Sequence, residues 1–128
     1  MEVAISVLPM TDQHPRPATE PNDLPRLFLQ RANAGDVDGV VALYEPDAVL
    51  TFPPGNVATG IDAIRAVYER FLAGRPTLAP GEQQPALVVG DLALTSTRLA
   101  GGGVTVEVAR RRPDGTWLWA IDRFDILQ

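Results

Sequence analysis

From Asp23 onwards, apolar residues recur three and four positions apart, which is the spacing of an amphipathic helix. The stripe consists of Leu24, Leu27, Phe28 and Ala32. Asp23 is predicted as the N-cap, since its side chain can accept a hydrogen bond from the first turn, and Pro25 is tolerated within that turn. Gly35 predicts the end of this helix.

Two more helices follow from the same spacing. In the second, Asp36 is the predicted N-cap, Pro46 ends the helix, and one face carries Val37, Val40, Val41 and Tyr44. A short β-rich run, AVLTF, comes next. The third helix is predicted over residues 60–74, with Gly74 as its C-cap. Its stripe is Ile61, Ile64, Val67, Tyr68, Phe71 and Leu72.

After Pro76 the pattern changes to β-branched and alternating runs, which predict strands. Four runs are separated by glycine-containing turns: QQPALVVG, DLALTSTRLA, GVTVEVARRR and TWLWAIDRFDIL. Tight turns connect antiparallel neighbours. The order predicts an α+β fold, with three N-terminal helices packed on a strongly curved, mainly antiparallel sheet.

The predicted domain covers residues 23–128, and residues 1–22 are a proline-rich N-terminal extension. In that extension VAISVL has the composition of an edge strand, while the prolines after it exclude a helix or a central strand. No run approaches the ~20 apolar residues that span a bilayer. We therefore expect no membrane partner, and because the start lacks a basic signal region we expect a cytoplasmic protein.

Composition then removes several kinds of chemistry. The 128 residues include no cysteine and no lysine, so thiolate metal sites, disulfides and Schiff bases are excluded. The single histidine, His14, lies in the extension, which argues against a Ser-His-Asp triad in the domain. We predict no metal and no cofactor. The net charge of −5 makes nucleic acid a poor partner, because phosphate binding needs a basic surface.

Three segments resemble the nuclear-transport-factor-2-like superfamily, and more narrowly its SnoaL-like, DUF4440-type members. They are ANAGDVDGVVALYEPDAVLTFPPG, GIDAIRAVYERFL and EVARRRPDGTWLWAIDRF, and the resemblance covers about residues 24–126. It implies a cone of curved sheet closed by helices, usually a homodimer through the open face of the sheet. The superfamily hosts isomerases, dehydratases, cyclases, epoxide hydrolases and non-catalytic modules, so fold does not choose the function.

Asp122 is the main candidate for chemistry, because it is a carboxylate inside an apolar strand. Alternation places it on one face with Leu118, Ala120, Phe124 and Ile126, and places both tryptophans on the other face. A buried carboxylate must be paired or protonated. Asp122 is therefore either a general acid or base with a raised pKa, or the ion-pair partner of Arg98 or Arg110.

Other candidate residues surround this one. Tyr44 and Tyr68 either pack in the core with their hydroxyls at its rim or donate hydrogen bonds into a cavity, as oxyanion donors would. Phe52 and Trp119 are predicted wall residues that contact either core or ligand. Thr95, Thr97 and Glu107 share the polar faces of their strands, which look either into the cone or towards solvent. Arg98 completes the predicted ligand-binding set.

Two functions remain open from the sequence. The first is an enzyme for isomerisation, dehydration or cyclisation of an apolar carbonyl compound, with Asp122 moving the proton and Tyr44 or Tyr68 stabilising the oxyanion. The second is a non-catalytic module that binds a small apolar molecule or only forms dimers.

Overall fold

The structure is a computed structural model that describes residues 16–126. His14 and the predicted edge strand VAISVL lie outside the described residues. The helices are α1 (Asp23–Asn33), α2 (Val37–Val41) and α3 (Ile61–Ala73). The strands are β1 (Tyr44–Thr51), β2 (Val57–Thr59), β3 (Glu82–Gln83), β4 (Leu87–Val89), β5 (Leu92–Arg98), β6 (Val104–Arg111) and β7 (Trp117–Arg123). Among residues 16–126, no helix is long and apolar enough to cross a membrane.

The ends of α1 and α2 follow the local chemistry of the sequence. Asn22 is the N-cap of α1, one residue before the predicted Asp23. Gly35 adopts a φ of +71° after α1, a conformation that glycine reaches without strain. Asp36 caps α2 as predicted, because its side chain accepts a hydrogen bond from the backbone N–H of Gly39 at 2.9 Å.

The second helix is shorter than predicted. It ends at Val41, and Tyr44 is the first residue of β1 instead of the last residue of a helical stripe. The reason is pairing with the last strand: the Leu43 carbonyl accepts a hydrogen bond from the Trp119 N–H at 2.8 Å. Tertiary pairing therefore overrides the helical spacing of this segment.

The strands form one sheet in the order β2-β1-β7-β6-β5-β3, and β4 pairs with the same β5. Among the strands of residues 16–126, the β1–β7 pair is parallel and the other pairs are antiparallel. The helices pack on the inner face of this curved, unclosed sheet. The predicted α+β fold with a mainly antiparallel sheet is confirmed.

A β-bulge in β7 corrects the predicted faces of the last strand. Val108 pairs with Ile121, but the next residue of β6, Ala109, pairs with Trp119, so Ala120 is an extra residue on β7. The extra residue shifts the alternation by one position. Asp122 therefore shares the inner, buried face with Trp119 and Trp117, while Ile121 points to solvent.

The residues just before the first helix also pack on the domain. Ala18 is 2% exposed and forms an isolated bridge with Trp117. The buried guanidinium of Arg31 donates one hydrogen bond to the carbonyl of Arg16 at 2.6 Å and another to the carbonyl of Gly39 at 2.8 Å. Arg31 thus joins this segment and α2 to α1.

Candidate functional site

A cavity of about 420 Å³ lies between α1 and the inner face of the sheet. Phe28 and Leu29 of α1 form one wall, and Trp119 of β7 forms another. The loops at 78–81 and 99–101 line its exposed rim. Asp122 and Glu107 also line the cavity, and each is only 5% exposed. The cavity is therefore apolar, with two buried carboxyl groups.

The two carboxyl groups belong to one row of residues across the sheet. Thr95 on β5 pairs with Glu107 on β6, and Glu107 pairs with Asp122 on β7. All three are buried on the inner face, Thr95 completely. Directly paired residues on one face of a sheet have side chains in contact range. Glu107 and Asp122 are thus held side by side by backbone pairing.

Two tyrosines form a hydrogen-bond chain that ends at Asp122. The Tyr44 hydroxyl donates to Asp122 Oδ2 at 2.5 Å, and the hydroxyls of Tyr68 and Tyr44 are 2.7 Å apart. Because the Tyr44 proton is directed at the carboxylate, Tyr68 must donate to Tyr44. Oδ2 is occupied by this chain. Among the described residues, no hydrogen-bond donor contacts Asp122 Oδ1.

A second chain ends at Glu107. Trp119 Nε1 donates to Thr95 Oγ1 at 3.2 Å, and Thr95 Oγ1 is 2.6 Å from Glu107 Oε1. An indole N–H is a donor only, so the hydroxyl proton of Thr95 must be given to Glu107. Glu107 Oε1 is therefore the acceptor at the end of this chain.

Burial raises the pKa of both carboxyl groups. The pKa of Glu107 rises to about 8, first because the side chain has lost water and second because the charge of Asp122 is adjacent; hydrogen bonds from Thr105 and Thr95 oppose the rise. The pKa of Asp122 rises to about 6 through loss of water, against the hydrogen bond from Tyr44. The two values lie on either side of neutral pH, so the pair as a whole retains about one proton there.

The tyrosines remain protonated donors over this range. Burial raises the pKa of Tyr44 and of Tyr68 well above 10, and the negative charge of Asp122 raises both further. Both side chains lie behind Asp122, outside the set of residues that line the cavity. Their hydroxyls therefore act on the carboxylate instead of reaching the cavity directly.

The arginine alternative for Asp122 is contradicted. Arg98 Nη1 lies 3.6 Å from Glu82 Oε1, and Arg110 Nε donates to Glu45 Oε2 at 3.0 Å. The side chains of both arginines are more than half exposed. Within residues 16–126, no ion pair includes Asp122 or Glu107. The structure thus resolves one alternative that the sequence left open.

The predicted ligand-binding residues fall in three places. Thr97, Glu107 and Trp119 line the cavity, and Thr95 lies behind Glu107. Phe52 packs against Phe71 and Phe124 with ring centroids 5.0 and 4.5 Å away, so only its neighbour Phe124 reaches the cavity. Arg98 is exposed and lies outside the lining set. Their ligand contacts stay predictions.

Several lining residues were not predicted from the sequence. Thr105 could have been found, because it lies two positions before Glu107 and shares its face. Phe28 was assigned to the apolar stripe of α1, and only tertiary packing shows that it also borders the cavity. Leu78 and Leu99 lie in loops whose patterns give no signal of a wall.

Within residues 16–126, no cluster of three carboxylates or histidines could hold a metal ion.

The fold and this cavity define an α+β cone protein with paired carboxyl groups. A family model described as the SnoaL-like domain matches residues 26–127. The chain belongs to the SnoaL-like family, as the resemblance predicted, while the DUF4440 subtype stays a prediction. A search of curated proteins found no match.

Solved structures confirm the nuclear-transport-factor-2-like fold. A ketosteroid isomerase-like protein from Erwinia carotovora atroseptica has a TM-score of 0.67 at 22% identity, covering 80% of this chain and 89% of that one. A proposed dehydratase of the nuclear-transport-factor-2-like family from Streptomyces avermitilis has a TM-score of 0.65 at 17% identity, covering 80% of this chain and 90% of that one. A proposed calcium/calmodulin-dependent protein kinase type II association domain from Thiobacillus denitrificans has a TM-score of 0.73 at 13% identity, covering 85% of this chain and 96% of that one. At these identities the likeness shows the fold alone.

Proposed function

We propose that this protein is a cofactor-independent enzyme that moves a proton on an apolar carbonyl compound, as an isomerase or dehydratase does. The observation that supports the proposal is the pair of buried, adjacent carboxyl groups in an apolar cavity, both with raised pKa values. Neighbouring titratable groups whose pKa values differ divide the roles of acid and base at one pH.

Asp122 is the proposed base. Its Oδ1 removes a proton from the carbon next to the carbonyl, and the C–H electron pair forms the carbon–carbon double bond of an enolate. The base is ionised above about pH 6, near the range in which general bases work best. Tyr44 holds Oδ2 and orients the carboxylate towards the cavity.

Glu107 is the proposed acid. The protonated Oε2 donates to the carbonyl oxygen, which gains negative charge as the enolate forms. Thr95, which accepts from Trp119, donates to Oε1, and in this proposal the other oxygen of Glu107 carries the acidic proton. In a β,γ-unsaturated ketone the intermediate is a dienolate, and return of the proton from Asp122 to its γ carbon completes an isomerisation. In a β-hydroxyketone, the enolate electrons form the α,β double bond and expel the hydroxyl, which takes the proton of Glu107 and leaves as water.

This assignment changes the roles given to the tyrosines. The enzyme hypothesis from the sequence gave Tyr44 or Tyr68 the role of oxyanion donor, with core packing as the alternative. Both lie behind Asp122, and the proposed oxyanion donor is Glu107. The names of two structural neighbours, an isomerase-like protein and a proposed dehydratase, agree with chemistry that begins by proton removal.

Hydrogen–deuterium exchange tests the proposed proton transfer without knowledge of the natural substrate. Apolar cyclic ketones and β-hydroxyketones are incubated with the protein in deuterated water, and label next to the carbonyl is followed by NMR. We expect a bell-shaped rate profile, rising near pH 6 as Asp122 ionises and falling near pH 8 as Glu107 loses its proton. Asp122→Asn should lower the rate by about 10²–10⁴-fold.

The matched control is Glu69→Gln, which neutralises an exposed carboxylate on α3 and should leave the rate unchanged. Glu107→Gln should cost less than Asp122→Asn, because an amide still donates a hydrogen bond. Ketones that bind in the cavity but never exchange would contradict the enzyme proposal and favour the non-catalytic binding module.

We also propose that the protein forms a homodimer through the outer face of the sheet. Apolar residues form a row across five paired strands there: Leu87, Leu94, Val108, Ile121 and Val49. Leu87, Leu94 and Ile121 are 67%, 37% and 51% exposed, and the helices lie on the opposite face. Contiguous exposed apolar surface of this kind is typical of an interface.

Ile121→Arg tests the dimer, because Ile121 lies at the centre of the sheet on that row. A charge introduced into a buried apolar interface without a partner costs several kcal/mol, so we expect a monomer at micromolar concentration. Sedimentation equilibrium gives the mass. The control Ala73→Arg adds the same charge at the exposed end of α3 and should remain dimeric. Equal masses for wild type and Ile121→Arg would remove the proposal.

A further inference from the structure

The charge of the cavity is uncompensated among the described residues. Asp122 and Glu107 are both 5% exposed, and neither takes part in an ion pair within residues 16–126. Asp122 receives one hydrogen bond, from the neutral phenol of Tyr44. An ionised carboxylate held away from water gains more from a cation than from any neutral partner.

The groups that face Asp122 come from every element packed around it. Tyr44 of β1 and Tyr68 of α3 are uncharged, and Glu107 of β6 is acidic. The cationic residue of the cavity lining is Arg26 of α1, but its side chain is 61% exposed and is 3.1 Å from Asp23. Among the described residues that line it, the cavity is thus negative at its buried end and has Arg26 at the rim.

The walls next to these carboxyl groups are aromatic. Phe28, Trp119 and Phe124 line the cavity, and the rings of Phe28 and Trp119 are 6.2 Å apart. Aromatic faces attract organic cations through the negative charge of the ring face, most strongly when water is excluded. An apolar cation with methyl or ring substituents matches both features, since its body is apolar and its charge is delocalised.

We propose that the cavity binds organic ammonium ions, with the charge placed at Asp122 and the substituents against the aromatic walls. The proposal rests on the proposed function in taking this cavity as the ligand site, but it does not require turnover. Ammonium compounds would then occupy the site of the carbonyl substrate and inhibit its turnover by the protein. Anionic ligands are excluded from the buried end, because two adjacent negative charges would lie in a dry cavity.

Benzyltrimethylammonium and its uncharged carbon isostere, neopentylbenzene, test the inference as a matched pair. Both have the same shape, and the charge of the first does not titrate. At pH 8 we expect the ammonium ion to bind at least about tenfold more tightly than the isostere, measured by ligand-observed NMR. At pH 5, where Asp122 is protonated, the ratio should fall towards one.

Asp122→Asn is the decisive variant, because the amide keeps the shape of the side chain and can still accept from Tyr44. It should remove the preference for the ammonium ion at pH 8 while the isostere still binds. Equal affinities of the two compounds for the wild type, no binding of either, or an unchanged preference in Asp122→Asn would each overturn the inference.

The outcome is separable from that of the proposed enzyme. If the ammonium ion is preferred but no ketone exchanges its protons, the ammonium site stands and the catalytic proposal fails. If ketones exchange and the ammonium ion has no advantage, the catalytic proposal stands and the ammonium site fails.

Discussion

Glu107→Gln should make the protein more stable above pH 8 and should flatten the dependence of its stability on pH. The wild-type carboxyl group has lost most of its water and lies beside Asp122, which raises its pKa from 4.5 to about 8. A glutamine keeps the size of the side chain, can accept from Thr95, and never becomes charged. At pH 9 we expect a gain of about 2–4 kcal/mol in the free energy of unfolding.

The direction follows from proton binding. Between pH 4.5 and 8 the folded protein holds a proton on Glu107 that the unfolded chain has released. The stability that this proton contributes is fully present below the unfolded pKa and is lost as the pH rises through the folded pKa. Wild type and variant should therefore be similar near pH 4.5 and separate progressively up to about pH 8, with the variant more stable.

Urea denaturation between pH 4.5 and 9 measures this difference. Glu69→Gln is the control, because the side chain at the exposed face of α3 changes charge without any burial. Its profile should run parallel to that of the wild type. If the Glu107→Gln profile is also parallel, Glu107 does not titrate between pH 4.5 and 8. The proposed mechanism, which needs a proton on Glu107 at neutral pH, would then be contradicted.

Regular elements could be predicted from the sequence because one periodicity decided each of them. The stripe of α3 was predicted correctly, with Ile64, Tyr68 and Leu72 buried. The alternation of β6 was also predicted correctly, since Thr105 and Glu107 face inwards and the valines that alternate with them are less buried. In both elements the backbone is regular, so the direction of each side chain can be counted from that of the residues before it.

The faces of β7 could not be predicted in the same way. Apolar residues occupy both faces of this strand, so the pattern did not show that Ala120 is an extra residue in a bulge. The bulge brings Trp119 and Asp122 to one face. Without it, the indole that bonds Thr95 and the carboxylate that bonds Tyr44 would lie on opposite sides of the sheet.

The site itself combines residues that are distant in sequence. A buried carboxylate at Asp122 was predicted to need a partner, and that physical requirement was met, but by a tyrosine instead of an arginine. Tyr44 was chosen as a site residue although it was placed on a helix. Which donor meets which acceptor depends on strand order, and strand order is not encoded in local spacing.

Tyr44→Phe should destabilise the protein more than Tyr68→Phe does, and more at pH 8 than at pH 5. The first change removes the hydrogen bond to Asp122 Oδ2 and, among the described residues, also leaves the buried Tyr68 hydroxyl without a partner. We expect a loss of about 2–3 kcal/mol at pH 8, where Asp122 is charged, against about 1 kcal/mol for Tyr68→Phe. Urea denaturation at both pH values measures the two losses.

The pH dependence has a defined sign. The Tyr44 hydrogen bond lowers the pKa of Asp122, which burial has raised to about 6, so its removal should raise that pKa further. The stability that a raised carboxyl pKa contributes is lost as the pH passes through the folded value. At pH 5 Asp122 is protonated with or without Tyr44, so the loss is limited to the missing hydroxyl and the unpaired Tyr68 hydroxyl. Once the pH exceeds the further raised pKa of Asp122 in the variant, the variant also carries the cost of an unsolvated charge.

The double variant Tyr44→Phe/Tyr68→Phe separates a hydrogen-bond chain from two independent buried phenols. In the chain, Tyr68 donates to Tyr44, so once Tyr44 has lost its hydroxyl the Tyr68 hydroxyl is an unpaired buried group and no longer stabilises the fold. Removing it from the Tyr44→Phe background should then cost nothing or restore stability.

Additive losses would mean that the two hydroxyls act separately and that Tyr68 has no effect on Asp122. A loss smaller than the sum at pH 8 would show that the carboxylate, Tyr44 and Tyr68 act as one unit that sets the pKa of the proposed base.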